Sequence, residues 1–140
     1  MSLCVLDASL VFPWLFEDEA SAEADALLDL VNAQGAVVPA LWHLECANGL
    51  GMAERRGRLT AAAVQESIAL LEELPLAIDA PVPARTFSVV LDLMRAHRLT
   101  AYDATYLELA LRCGLPLATG DKALRTAAAA VGVALLQVSP

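Results

Sequence analysis

Apolar residues in this chain fall into two kinds of run: short continuous stretches, and longer ones in which they return every three or four positions. Leu3-Cys4-Val5-Leu6 is continuous and stops at Asp7, the pattern of a strand buried on both faces rather than lying at a sheet edge. From Glu19 to Gln34, Ala20, Ala24, Leu27, Leu28 and Val31 recur at helical spacing, with Glu23, Asp25 and Asp29 on other faces. This predicts an amphipathic helix ended by Gly35. Ala36-Val37-Val38 before Pro39 predicts a second strand. Helices follow from about Leu41 to Arg56, stopped at Gly57, and from the N-cap Thr60 to about Glu73. Leu76-Ala77-Ile78 before Asp79 is a weak third strand. Residues from about Pro83 to His97 read as helix, and Thr100 with Asp103 three residues on sets a capping-box-like start for a helix to Cys113, closed by Gly114. A strand over Leu115 to Thr119, a helix over Asp121 to Val131 and a last strand over Val133 to Leu136 complete the pattern.

Short apolar strands alternating with amphipathic helices specify the α/β class, a parallel β-sheet flanked by helices. The 140 residues suffice for one domain, 1–140, with no internal repeat and no linker. Hydrophobic residues make up 58% of the chain and aromatics only 5%, so the apolar excess is largely small and helix-favouring, and disorder is excluded. The formal net charge of -8 argues against a surface that coats nucleic-acid phosphates broadly, so a polyanion must be met locally. Cys4, Cys46 and Cys113 form no C-x-x-C pair and read as small buried hydrophobes in a reducing compartment. No secretory pattern opens the chain, and its longest apolar candidate, Ala127 to Val138, is too short for a membrane span, so a cytoplasmic protein is expected.

In open parallel sheets ligands bind beyond the carboxyl ends of the strands, which draws attention to Asp7, directly after the first strand, and Asp121, just after the Leu115 to Thr119 strand. Glu45 and Asp103 lie on helices that can face the same crevice. Each Asp also has a plain alternative: Asp7 and Asp121 as helix N-caps, Asp103 as the partner of the Thr100 cap. Glu45 sits inside the otherwise apolar run Leu41-Trp42-His43-Leu44-Glu45-Cys46-Ala47, with Asn48 on its face of the helix, and needs a partner. Four converging carboxylates repel one another unless a hard divalent cation neutralises them. With His only at positions 43 and 97, an all-oxygen site favours Mg²⁺ or Mn²⁺ over zinc, and such a site activates water for phosphodiester displacement.

The order Asp7-Ala8-Ser9, then Glu45-x-x-Asn48, then Tyr102-Asp103-Ala104-x-Tyr106-Leu107, then Thr119-x-Asp121 resembles the PIN-domain family, specifically the VapC-like toxins of bacterial toxin–antitoxin pairs. The likeness runs from about Leu3 to Leu136 and includes Arg55-Arg56-Gly57-Arg58-Leu59, a segment frequent in these toxins. It implies a Mg²⁺-dependent ribonuclease with an acidic site of Asp7, Glu45, Asp103 and Asp121, in which Asp7 and Asp103 are first choices as direct metal ligands. It also implies Ser9, Asn48 and Thr119 as hydrogen-bonding groups around them, an RNA substrate, a small VapB-like antitoxin and a homodimer. Pro13 stands before Trp14 where many relatives carry a basic residue.

Other groups have competing readings. Arg55, Arg56 and Arg58 either complement a helix end or hold RNA phosphates or a partner's acids. Lys122 either reaches a phosphate or is solvated, and Glu17-Asp18-Glu19 reads as a solvated start to a helix. His43-x-Glu45 is the first half of a zinc-deaminase signature whose P-C-x-x-C half is missing. A haloacid-dehalogenase-like phosphatase with Asp7 as nucleophile needs an Asp where Ser9 stands. A non-catalytic interaction module is the remaining alternative.

Overall fold

The computed structural model describes residues 2–139, and its four parallel strands form one sheet in the order β3-β2-β1-β4. The strands are β1 (Val5–Leu6), β2 (Ala36–Pro39), β3 (Leu76–Asp79) and β4 (Leu117–Ala118). The flanking helices are α1 (Phe12–Leu15), α2 (Ala22–Gln34), α3 (Leu41–Arg55), α4 (Ala61–Glu72), α5 (Pro83–Arg85), α6 (Leu91–His97), α7 (Ala101–Cys113) and α8 (Lys122–Val131). This is the α/β architecture that the alternating pattern specifies.

β1 lies inside the sheet, between β2 and β4, and Cys4, Val5 and Leu6 are wholly buried, as the continuous apolar run requires. The chain steps outward from β1 through β2 to β3, then returns to the other side of β1 for β4. The β1/β4 boundary is therefore where the strand order reverses, and the crevice beyond it is where such sheets hold ligands. Register there pairs Val5 with Leu117 and Leu6 with Ala118. That alignment brings Asp7 and Thr119, one residue past each strand, side by side.

β3 is one of the two edge strands, with Ile78 59% exposed, which explains why its sequence signal is weak although it pairs with β2 over four residues. The last expected strand, Val133 to Leu136, is corrected to a single bridge, Leu117 with Leu135. Its neighbour offers little more: β4 is two residues long, and Pro116 just before it has no N–H for a ladder. The helix expected from Glu19 starts at Ala22 because Ser21 caps it, its hydroxyl accepting from the Ala24 N–H at 3.0 Å. Glu17–Glu19 is a separate 3₁₀ turn, so these acids do not open the helix as expected.

Residues 8–15, which hydrophobic spacing leaves without an element, form a 3₁₀ turn over Ala8–Leu10 followed by α1. The indole N–H of Trp14 donates to the Ala24 carbonyl at 2.7 Å and ties α1 to α2. The expected helix from Pro83 to His97 contains a π turn over Thr86–Val90, where the Thr86 and Ser88 hydroxyls bond back to carbonyls four residues earlier. α7 is the most deeply packed helix: Ala104, Tyr106, Leu107, Glu108, Leu109 and Ala110 are all buried. At roughly 1.5–3 kcal/mol for each large apolar side chain buried, Leu107 and Leu109 alone anchor the helix strongly, and with it the side chains it carries toward the sheet edge. Of the cysteines, Cys4 and Cys46 are buried, whereas Cys113, at the end of α7, is exposed, which corrects its expected burial.

Candidate active site

At the carboxyl edge of β1 and β4 a cleft of about 720 Å³ is lined by Asp7, Ser9, Glu45, Asn48, Asp103 and Asp121, with Leu44 and Tyr102 on its rim. The four carboxylates come from four separate places: the end of β1, the first half of α3, the first turn of α7 and the N-cap of α8. No Lys or Arg lines this cleft.

Asp7 is buried and its Oδ2 accepts two hydroxyl protons, from Ser9 Oγ at 2.7 Å and Thr119 Oγ1 at 2.6 Å. Each hydroxyl is itself oriented by the loop after β4, since Ser9 Oγ accepts from the Gly120 N–H and Thr119 Oγ1 from the Asp121 N–H. A hydroxyl that accepts a backbone proton points its own proton elsewhere, here at Asp7. The capping alternative for Asp7 is removed, because its side chain makes no cap hydrogen bond to the 3₁₀ turn that follows it.

For Asp121 both readings hold together. Its Oδ2 accepts from the Leu124 N–H at 2.8 Å as the α8 cap, while the residue also lines the cleft. Thr100 caps α7 through the Asp103 N–H at 3.2 Å, and the Asp103 carboxylate accepts no hydrogen bond that would close a capping box. Glu45 Oε1 accepts from the Tyr106 hydroxyl at 2.6 Å. Tyr106 is fully buried, and its role had no signal beyond its place in the Tyr102-Asp103-Ala104-x-Tyr106 motif, because its partner lies 61 residues away.

Three of the four carboxylates thus share a pattern: one oxygen is fixed by a protein donor and the other is left without one among the described residues. Burial pushes the Glu45 carboxyl above its usual range, the Tyr106 hydrogen bond opposes this, and the charges of Asp7 and Asp103 add to the rise. The Asp103 carboxyl is raised by burial and then by Asp121 and Asp7, against the Thr100 hydroxyl. Burial raises the Tyr106 hydroxyl too, reinforced by Glu45, so it stays a proton donor. The Cys46 thiol, one residue past Glu45, is pushed up to about 12 by burial first and by Glu45 and Asp7 after it, so it is inert.

The donor set is all oxygen and uncompensated by any cation, which fits a hard divalent ion. Among the described residues no three His, Cys, Asp or Glu side chains are grouped tightly enough to hold one ion alone. Asn48 is exposed on the cleft wall and makes no side-chain hydrogen bond among the described residues, leaving its amide open to a substrate.

The basic segment divides. Arg58 donates to Asp18 at 2.9 Å and Glu19 at 2.7 Å and lies over the Phe16 ring, so it is not the free phosphate ligand that its sequence context allowed. Arg55, Arg56 and Lys122 form no ion pair among the described residues. No helix of the described residues is long and apolar enough to cross a membrane.

A family model described as PIN domain matches residues 4–130. Ribonuclease VapC1 of Mycobacterium tuberculosis is 34% identical over 128 residues, covering 91% of this chain and 92% of that protein. PAE2754 from Pyrobaculum aerophilum superposes with a TM-score of 0.66 at 27% identity, covering 88% of this chain and 77% of the other. At fold level only, FitAcB from Neisseria gonorrhoeae matches with a TM-score of 0.66 at 17% identity, covering 95% of this chain and 96% of that one. VapC20 of Mycobacterium tuberculosis, a sarcin-ricin loop cleaving toxin, matches likewise, with a TM-score of 0.64 at 14% identity over 97% and 98% of the two chains.

Proposed function

The chain belongs to the PIN-domain family, and on that premise we propose that it is a Mg²⁺- or Mn²⁺-dependent endoribonuclease toxin of the VapC-like kind, neutralised by a cognate VapB-like antitoxin. The observation that carries this reading is the cleft itself: four carboxylates from four elements line it where the strand order reverses, with no Lys or Arg among its described lining residues. A buried or half-buried cluster of this kind destabilises a chain that keeps it bare, so it argues for a ligand that brings positive charge. A divalent ion held by these carboxylates would supply that charge and the means to acidify a water for attack on a phosphodiester.

The chain's own residues have distinct tasks in this reading. Asp7 and Asp103 are assigned as direct ligands, Asp7 through the oxygen its two hydroxyl donors leave free. Glu45 and Asp121 complete the acidic set through Oε2 and Oδ1. Ser9 and Thr119 hold Asp7 in one rotamer, so that it needs little reorganisation when substrate arrives. Asn48 is placed to donate to a substrate oxygen. Displacement of the 3′ oxygen leaves products with 5′ phosphate and 3′ hydroxyl ends.

A phosphatase of the haloacid-dehalogenase kind finds no support: Ser9, where it needs a second Asp, is engaged in holding Asp7. A cytoplasmic location and pairing of two copies belong to the same reading, and light scattering of the purified chain measures the second. The decisive experiment is incubation of total cellular RNA with the purified protein, with Mg²⁺ and with excess chelator, followed by mapping of product ends. Discrete cuts with 5′ phosphates only when the cation is present are expected, and cleavage that persists in chelator rejects the reading.

A further inference from the structure

We infer that the catalytic cleft continues into a second groove that holds the backbone of single-stranded RNA beside the cut, with Arg56 as its phosphate contact. This rests on the nuclease reading above and locates where its substrate runs. The groove has a volume of about 450 Å³ and shares Phe12, Asn48 and Gly49 with the cleft, so the two are one trough bent over α3. Gly49 makes the junction possible: a Cβ there would stand 2.3 Å from the Phe12 ring and push it into the path.

The two ends of the trough differ in charge. The cleft holds only carboxylates, whereas the groove holds Arg56, Arg58 and a single acid, Glu19. Arg58 is committed to Glu19 and Asp18 and packs on Phe16, which cancels that acid. Arg56 is exposed and unpaired among the described residues, and it is the one cation of the groove left to meet an anion. Beside it the half-buried Phe12 ring stacks at 5.8 Å and 13° on the buried Phe16, which Arg58 covers, so Phe12 is the aromatic surface that the groove offers. A free guanidinium next to aromatic faces is the combination that single strands use, phosphate on the cation and base on the ring. An acidic peptide uses only the first of these, which makes nucleic acid the better fit.

The test uses an RNA oligonucleotide of about 16 nucleotides spanning a cut mapped in total RNA, and a version trimmed to about 4 nucleotides around that cut. Wild type, Arg56→Gln, Arg56→Lys and the remote control Arg95→Gln are compared in Mg²⁺ across a salt series. For Arg56→Gln on the long substrate, KM should rise about five- to tenfold with kcat within about twofold. The slope of log(kcat/KM) against log salt should become shallower by about 0.7, the contribution of one phosphate on a single strand. Arg56→Lys should restore the slope, and the trimmed substrate should be cut equally by all four proteins. An unchanged salt slope, an equal loss on both substrates, or weakened retention of a co-purifying protein with RNA kinetics intact overturns the groove assignment. Absence of cation-dependent cleavage by the wild type instead rejects the nuclease reading, and the groove falls with it.

Discussion

Asp103 and Glu108 sit on the same helix, α7, and the fold treats them in opposite ways. Glu108 is buried and its carboxylate accepts from Arg85 and from Arg112, which in turn grips both oxygens of Asp79 at 3.0 and 2.6 Å. Every acid in that network is matched by a guanidinium. Asp103 is half-buried, faces Asp7 and Asp121, and has no cation beside it. The titration directions follow: burial raises the Glu108 carboxyl, but the two arginines outweigh it and leave the group below its usual range, whereas Asp103 is raised. The same helix thus carries one acid that the fold neutralises and one that it leaves bare, the arrangement expected where an acid serves a ligand. The network fastens β3 and α5 to α7 and so steadies the helix that presents Asp103.

The sharpest way to break this contrast is to remove a charge from each side. Asp7→Asn or Asp103→Asn should lower RNA cleavage by about a thousandfold or more, and in chelator the melting temperature of Asp103→Asn should stay level or rise because a repulsion has gone. A variant that loses activity only by unfolding would erase the distinction drawn here. Glu108→Ala should do the reverse, lowering stability by about 1–3 kcal/mol in denaturant titration because two part-exposed arginines lose their buried partner, with kcat changed far less.

Tyr106→Phe keeps the ring and deletes the donor to Glu45, a hydrogen bond to a charged group worth about 1.5–3 kcal/mol net of exchange with water. The Mg²⁺ concentration for half-maximal cleavage should rise about three- to tenfold, and the cation's thermal stabilisation should shrink in step.

The smallest effect lies in pH, and its sign separates the two regions. Glu45 and Asp103 hold protons more tightly when folded, so in chelator their contribution is fully present below the ordinary carboxylate values near 4 and declines as pH rises through their raised values. Glu108 has the opposite sense: its contribution is present above the ordinary glutamate value and disappears as pH falls through its lowered one. Melting curves in chelator should therefore show Asp103→Asn flattening the loss above pH 4 and Glu108→Gln flattening the loss below it. A matching response from both variants would contradict the assignment.

Much of this molecule is legible in its sequence. Continuous apolar runs mark the largely buried strands β1, β2 and β4, and Asp7 at the end of the first marks the sheet edge that matters. Glu45 stood out because a carboxylate inside an apolar helical stretch needs a partner. The 3₁₀ turn and α1 leave no sequence signal because short irregular helices have no period, and the last apolar run forms a bridge rather than a strand because an apolar segment reads the same whether its neighbour offers four partners or one. Cys113 departs from its expected burial for a related reason: the residue type favours burial, but the end of α7 carries it into solvent.

What the chain's order of residues determined is class, strand ends and which acids could act, since these depend on spacing over a few neighbours. Which acids are neutralised was decided only by the tertiary structure. Arg112 meets Asp79 across 33 residues, Tyr106 meets Glu45 across 61 and Thr119 meets Asp7 across 112. Each of those meetings is set by sheet register and helix packing, which sum weak preferences over the whole fold, so no local pattern can tell a paired carboxylate from one left open for a ligand.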